Sequence, residues 1–363
     1  MRVVVIGAGA VGSCLAYQLA GRASVLLLDR SDPAAGLSAH SFGWVNAVDN
    51  GSRPYWELTL AALAAHRRLA ESGTGEQWFF RQGNLHWADS SDGAAQLSAA
   101  AAGYRDKGYP VVECTAAEVR RKLEPGLWLG DAMEPLIWYP EDGHVFAERL
   151  LAELRRGAQD RGAEIRFGLT VTGFLGTAGC VRGVRLSSGE RIGADAVICC
   201  AGRGTNALLG QAGARVPMIE PAQDGRVTGL LIRTTPVPEP VRRVLHAPGL
   251  SIRPGADGGL LLHCHDLDGA SADGAVRTVL ARLRAVLPAA TTVAAAEVYF
   301  GVRPIPRDRL PVLGWLPGID SLYVVVTHSG VTLAPLLGEL VAREVFGSAQ
   351  PLAAEFRPDR FSR

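Results

Sequence analysis

Short unbroken apolar runs stand near both ends of the chain, and between them apolar residues recur at helical or alternating spacing. Residues 1–6 are apolar and rich in β-branched side chains, the mark of a strand buried on both faces. Glycines follow, then helical spacing over 13–20, then a second apolar run, Ser24–Leu28. This predicts a complete βαβ unit and a parallel sheet joined by a right-handed crossover. A second βα pair closes the chain: a strand over Leu322–Val326, a glycine, and a helix over about 331–346. In between, the spacing predicts amphipathic helices over 54–71, with Arg67 and Arg68 on the polar face, and over 145–161. Residues 78–87 read as extended pieces around Gly83, and Thr115-Ala-Ala-Glu118 is a capping box opening a short helix that ends before Pro125. Residues 164–200 contain three strand-like runs, with turns at Gly176 and Ser188-Gly189. Further strands are expected near 227–233 and 259–266, and a helix over 275–287.

Composition adds size and excludes some partners. The 363 residues suffice for about two domains. With 48% hydrophobic and 20% charged residues the chain is not disordered. Thirty-seven basic residues against 36 acidic ones point to no nucleic-acid partner and no anionic membrane surface. Lys107 and Lys122 are the only lysines, so the positive charge is almost all arginine, suited to fixed bidentate contacts. The six cysteines form no CxxC, and adjacent Cys199 and Cys200 should point to opposite faces of a strand. Reduced thiols in a soluble cytoplasmic protein are expected. No uncharged apolar run reaches the roughly 18 residues of a membrane span. The apolar N-terminus lacks a cleavage site and reads as a strand rather than a signal peptide.

Gly7-Ala8-Gly9-Ala10-Val11-Gly12 follows a strand and opens a helix. In such a turn the first glycine permits the tight bend, the second lets a pyrophosphate approach the backbone, and the third lets helix and strand pack closely. The helix N-terminus then faces the phosphates. Asp29 ends the second strand, 17 residues after Gly12, where a carboxylate binds ribose hydroxyls. The acid indicates a dinucleotide without a 2′-phosphate, FAD or NAD, and the fingerprint does not separate the two.

Four further segments follow in order: Gly36-Leu37-Ser38-Ala-His40-Ser41-Phe42-Gly43-Trp44; Cys200-Ala201-Gly202-Arg203-Gly204; Gly301-Val-Arg303-Pro304 through Asp308 to Gly314; and Thr327-His328-Ser329-Gly330-Val331-Thr332-Leu333-Ala334-Pro335. Together with the fingerprint, and with Val171 in a strand, they resemble the glycine oxidase and sarcosine oxidase branch of the D-amino-acid oxidase family of FAD flavoproteins. The resemblance extends from Met1 to about Phe346. It implies an α/β fold: a Rossmann-type FAD-binding domain from 1–50, 140–215 and 298–363, and a mainly antiparallel substrate domain with helices from 51–139 and 216–297. It further implies that Gly7, Gly9, Ala10, Val11 and Gly12 hold the pyrophosphate, with Asp29 and Arg30 at the adenosine ribose. Leu37, Ser38, Phe42, Gly43 and Trp44 would line pyrophosphate and flavin, Val171 would meet the adenine, and Ala201 and Gly202 would complete the cofactor wall. His328, Ser329, Gly330, Val331, Thr332 and Leu333 would lie beneath the flavin, where a helix N-terminus stabilises the negative charge of reduction.

For the substrate, the resemblance places Arg303 on a carboxylate, which a guanidinium fork fits bidentately. The bland alternative is an arginine paired with Asp308 or with a backbone carbonyl. His328 stands where glycine oxidases place a second polar contact, commonly arginine; equally, it could cap the last helix. Trp44 is a candidate for packing over the site, or for the core. Ser251 replaces a substrate-binding tyrosine of glycine oxidase, and these changes predict an enlarged pocket. His263 and His265 share one strand face with no third ligand in view, so no metal is expected, and one of them, His265, is a candidate for the catalytic side. Some relatives carry an oxygen-assisting lysine near here; this chain has Asp266. Gly301 stands where sarcosine oxidases tether flavin through cysteine, and His40 is one residue out of register with a histidine tether, so FAD is expected to be non-covalent. The implied reaction is oxidation of the C–N bond of a carboxylate-bearing amine, with molecular oxygen as acceptor. Transfer of the electrons to a non-oxygen acceptor, as in a dehydrogenase, is the alternative.

Overall fold

The first apolar run forms the strand Arg2–Ile6, and its neighbours follow from the same logic of burial on both faces. The computed structural model describes all residues except 34, 49, 50, 74, 265–271 and 363. Arg2–Ile6 lies inside a six-stranded sheet ordered Val312–Trp315, Leu322–Val326, Ala196–Cys199, Arg2–Ile6, Ser24–Leu28, Glu164–Arg166. All pairs are parallel except Val312–Trp315 against Leu322–Val326. Alternate residues feed two cores. Val3, Val5, Leu27, Ile198 and Val325 pack on the helices Ala10–Leu19 and Gly330–Val345. Val4, Ile6, Leu26, Val197 and Val324 pack on a small antiparallel sheet, Val171–Thr177, Cys180–Leu186 and Arg191–Gly193. Cys199 and Cys200 fall on these opposite sides, as alternation requires.

Helices Arg53–Ser72 and Ala147–Asp160 match the amphipathic segments, and Ala272–Val286 matches the one expected over 275–287. Thr115 and Glu118 make both bonds of the capping box. Residues 164–200 hold five strands rather than three, because two of them are only three residues long and carry no periodic signal.

The second sheet has eight strands: Ala295–Val302, Thr228–Thr234, Leu260–Cys264, Leu250–Pro254, Val244–Ala247, Asn84–Ala88, Met133–Tyr139 and Val112–Cys114. Only Val244–Ala247 with Asn84–Ala88 is parallel. One face carries Leu230, Ile232, Leu262 and Ile252, covered by Val279 and Leu283 of the helix Ala272–Val286. On the other face the register sets one row of side chains across six strands: Tyr299, Leu231, His263, Ser251, His246 and His86. Among the described residues no helix is long and apolar enough to cross a membrane.

Candidate active site

The cofactor cleft opens where Ile6 and Cys199 end neighbouring parallel strands, the place at which open α/β sheets bind ligands. Gly7 has φ +103°, and a Cβ there would run into the Cys200 carbonyl. A Cβ on Gly12 would collide with the Gly7 carbonyl. Gly9, by contrast, meets only Ser38 Oγ, 2.9 Å from where its Cβ would stand. Ser38 Oγ accepts the Ala10 N–H at 3.0 Å, while the N-cap Gly9 brings no side chain over the helix end. Asp29 is held by the amides of Ala8 (2.6 Å) and Ser31 (2.8 Å). Ala8, Gly9, Asp29, Ser38, Arg155 and Phe167 line a common cleft. Arg155, absent from the sequence reading, is half-buried there, with its guanidinium 5.6 Å from the Phe167 ring centre and its pKa lowered by burial against the opposing pull of Asp29. Arg30 is exposed, and Val171 is buried at the start of its strand.

Residues 37–44 cross from this cleft to the row of the larger sheet. Leu37 lies over Gly301, with the end of its side chain where a Cβ there would stand. His40 stacks on Tyr299 at 3.9 Å, Phe42 approaches His263 at 5.9 Å, and Trp44 sits 4.3 Å from His246. His246 in turn lies 4.3 Å from His86 and shares a 2.8 Å hydrogen bond, through Nδ1, with Ser251. Behind Trp44 is Asp142, fully buried, accepting from Tyr109 (2.5 Å) and Asn84 (3.2 Å). Burial pushes its pKa up to about 7, against the pull of these donors. Arg253, also buried, donates to the Phe42 carbonyl and ties this segment to the sheet. His86, His246, Asp142 and Arg253 escaped sequence reading because no local motif marks them; they converge only through the sheet register.

Arg303 follows the edge strand Ala295–Val302, its amide bonded to Val227 O at 2.8 Å. Asp308 is not its partner: that carboxylate pairs with Arg360, while Arg309 pairs with Asp224. His328 lies near Arg303 and Arg309, and burial, then these two charges, lower its pKa to about 4. It is therefore neutral at neutral pH. His328 does not cap the last helix, whose N-cap is Ser329, and among the described residues its Nδ1 has no hydrogen-bond partner. Ser329 Oγ lies 2.8 Å from Tyr55 Oη, and Thr332 Oγ1 donates to the Trp44 carbonyl at 2.8 Å, so Gly330, Val331 and Leu333 start a helix anchored on both sides. His263 takes the site face and Cys264 the opposite one, where its thiol donates to Gly249 O. His265 and Asp266 lie outside the described residues. Among the described residues no group of three or more His, Cys, Asp or Glu side chains is placed to hold a metal ion.

A glycine turn at a helix N-terminus and an acid at the end of the second strand have the pattern of a dinucleotide-binding unit, and residues 2–344 match the model of the DAO family of FAD-dependent oxidoreductases. The chain belongs to this family, and FAD is its cofactor. It is 26% identical to the glycine oxidase of Pseudomonas aeruginosa over 97% of this chain and 96% of that one. It is 27% identical to the bifunctional protein ThiO/ThiG of Synechocystis sp., covering 99% of this chain and 54% of that protein, so it spans about half the length of that relative. The glycine oxidase structure from Geobacillus kaustophilus superposes with a TM-score of 0.86 at 26% identity, over 99% of both chains. The cleft fits the cofactor: Gly9 leaves the helix N-terminus uncovered, and Asp29 and Arg155 offer a ribose acceptor and a cation in one cavity.

Proposed function

We propose that the protein is an oxidase of small carboxylate-bearing amines, either amino acids or N-substituted glycines, working in the cytoplasm with its cysteines reduced. The observation that carries this reading is Arg303, half-buried next to a neutral His328 at the margin of the sheet row, with Asp308 engaged elsewhere. A guanidinium in that position grips a carboxylate bidentately, and His328 adds a hydrogen bond without a second charge. The chemistry FAD supplies when bound is two-electron oxidation of the C–N bond, giving an imine that water hydrolyses, with molecular oxygen as final acceptor and hydrogen peroxide as product. The chain's own task is to orient the amine and exclude water; Trp44, Phe42 and Leu231 provide apolar surface and Ser251 the small side chain of the floor. Gly7 through Gly12, Asp29, Arg155, Leu37 to Trp44 and residues 328–333 form the cofactor wall in this reading. We assign 1–50, 140–215 and 298–363 to the cofactor domain and 51–139 with 216–297 to the substrate domain. The boundary at 298 then falls within the edge strand Ala295–Val302.

An amine panel with peroxide and carbonyl products quantified tests the reaction. Flavin that is reduced by substrate but reoxidised slowly by dissolved oxygen would instead indicate a dehydrogenase. Ser251 is smaller than a tyrosine and His328 shorter than an arginine, so the pocket should accept more than glycine. Catalytic efficiency should rise with N-alkyl length by about fourfold per buried methylene, until the space is filled, with glyoxylate as product. Glycine turned over better than every N-substituted analogue would exclude the enlarged pocket. The flavin should also leave with the supernatant on mild acid denaturation, since Gly301 offers no thiol for a tether and His40 is stacked on Tyr299. Flavin retained in the precipitate would identify a covalent link.

A further inference from the structure

The last helix, Gly330–Val345, contains Pro335. Proline has no backbone N–H, so the carbonyl four residues earlier, that of Val331, loses its regular helical donor. Val331 is buried, and an unpaired carbonyl there would be costly. A donor arrives from another helix. His66, on Arg53–Ser72, is fully buried, and its Nε2 lies 3.2 Å from Val331 O and 3.0 Å from Thr332 O. Both oxygens only accept, so Nε2 carries the proton and donates a forked bond. Among the described residues Nδ1 has no hydrogen-bond partner, and burial lowers the ring's pKa to about 4, so the imidazole is neutral at neutral pH. The same helix reaches the turn a second time through Tyr55 and Ser329.

We propose that His66 is a positioning residue: it supplies the N–H that Pro335 withholds from Val331 and thereby fixes the first turn of the last helix. That this turn serves the flavin rests on the function proposed above; the hydrogen-bond substitution does not. Proline leaves the turn without one bond of its own helix, so its position depends on outside anchors: His66 and Tyr55 of the helix Arg53–Ser72, and the Trp44 carbonyl that accepts from Thr332.

A double-mutant cycle on the purified flavoprotein decides the matter. Pro335→Ala restores a helical N–H to Val331 and should make His66 largely dispensable. His66→Leu alone should lower the unfolding temperature by roughly 1–4 °C. It should also weaken sulfite binding to the flavin, which senses the positive field of the helix end, by about three- to fivefold. In the Pro335→Ala background both losses should fall to less than half. Equal losses in the two backgrounds would overturn the proposal. If His66→Leu alone does not accumulate as folded protein, a folded double variant supports the claim, and an unfolded one beside a folded Pro335→Ala refutes it. Thermal coupling with unchanged sulfite affinity would refute the positioning of the turn toward flavin. Wild-type protein that binds no FAD would refute the functional reading, while the thermal cycle still tests the hydrogen bond.

Discussion

Gly9→Val is expected to give a folded protein that no longer retains FAD. The three fingerprint glycines are not equivalent. Gly7 has a positive φ and abuts the Cys200 carbonyl, and Gly12 abuts the Gly7 carbonyl, so side chains at either would disrupt the backbone itself. At Gly9 the nearest atom is the Ser38 hydroxyl, the end of a side chain that can turn away. A valine there spares the sheet but fills the approach to the helix N-terminus and displaces Ser38 from the Ala10 amide. FAD affinity should fall by about three powers of ten, on the order of 4 kcal/mol. Gel filtration followed by visible absorbance and far-UV circular dichroism separates loss of cofactor from loss of fold. A yellow, normally loaded variant would show that this turn does not hold the pyrophosphate.

What could be read from the sequence was what neighbouring residues decide among themselves. Ser24–Leu28 and Leu322–Val326 fall where apolar runs placed them, because strands buried on both faces need no partner to be recognised. The cofactor side was legible for a related reason: Gly7 to Gly12 and Asp29 are local motifs, and Ala8 and Asp29 meet through one βαβ unit. The eight-stranded sheet was largely hidden. Its parallel pair joins Val244–Ala247 to Asn84–Ala88, segments far apart in the chain, and its edge strand Ala295–Val302 has exposed apolar residues such as Phe300 that break the expected alternation. His86 and His246 carry no signal of their own; each is an isolated histidine until register places them side by side. Asp142 is equally silent, one of two adjacent acids in a turn, and its burial arises only when Tyr109 and Asn84 close over it. Arg155 looks like one more charge on the polar face of an amphipathic helix, until Asp29 and Phe167 are seen beside it.

Arg303→Ala should leave FAD bound and lower kcat/KM by about two to three powers of ten, the consequence of losing roughly 3–4 kcal/mol of charge-assisted hydrogen bonding in a desolvated site. The backbone at this position is held independently of the side chain, by the Arg303 amide on Val227 O, so the edge strand should survive the change. Neither Arg309 nor His328 is poised to take over. Arg309 is paired with Asp224, and His328, with its pKa lowered to about 4, adds no charge above that pH. Because the guanidinium does not titrate and the neutral imidazole does so only far below neutrality, the ratio of wild-type to variant efficiency should stay flat between about pH 6.5 and 9. Arg303→Lys should recover part of the loss, since a point charge replaces the planar fork. The loss should also depend on the substrate: amines lacking a carboxylate, poor with the wild-type enzyme, should be nearly indifferent to the substitution. Steady-state kinetics on carboxylate and amide pairs of one amine measure this directly. Equal losses for both members of the pair would remove Arg303 from carboxylate recognition and leave it as a structural cation at the strand end.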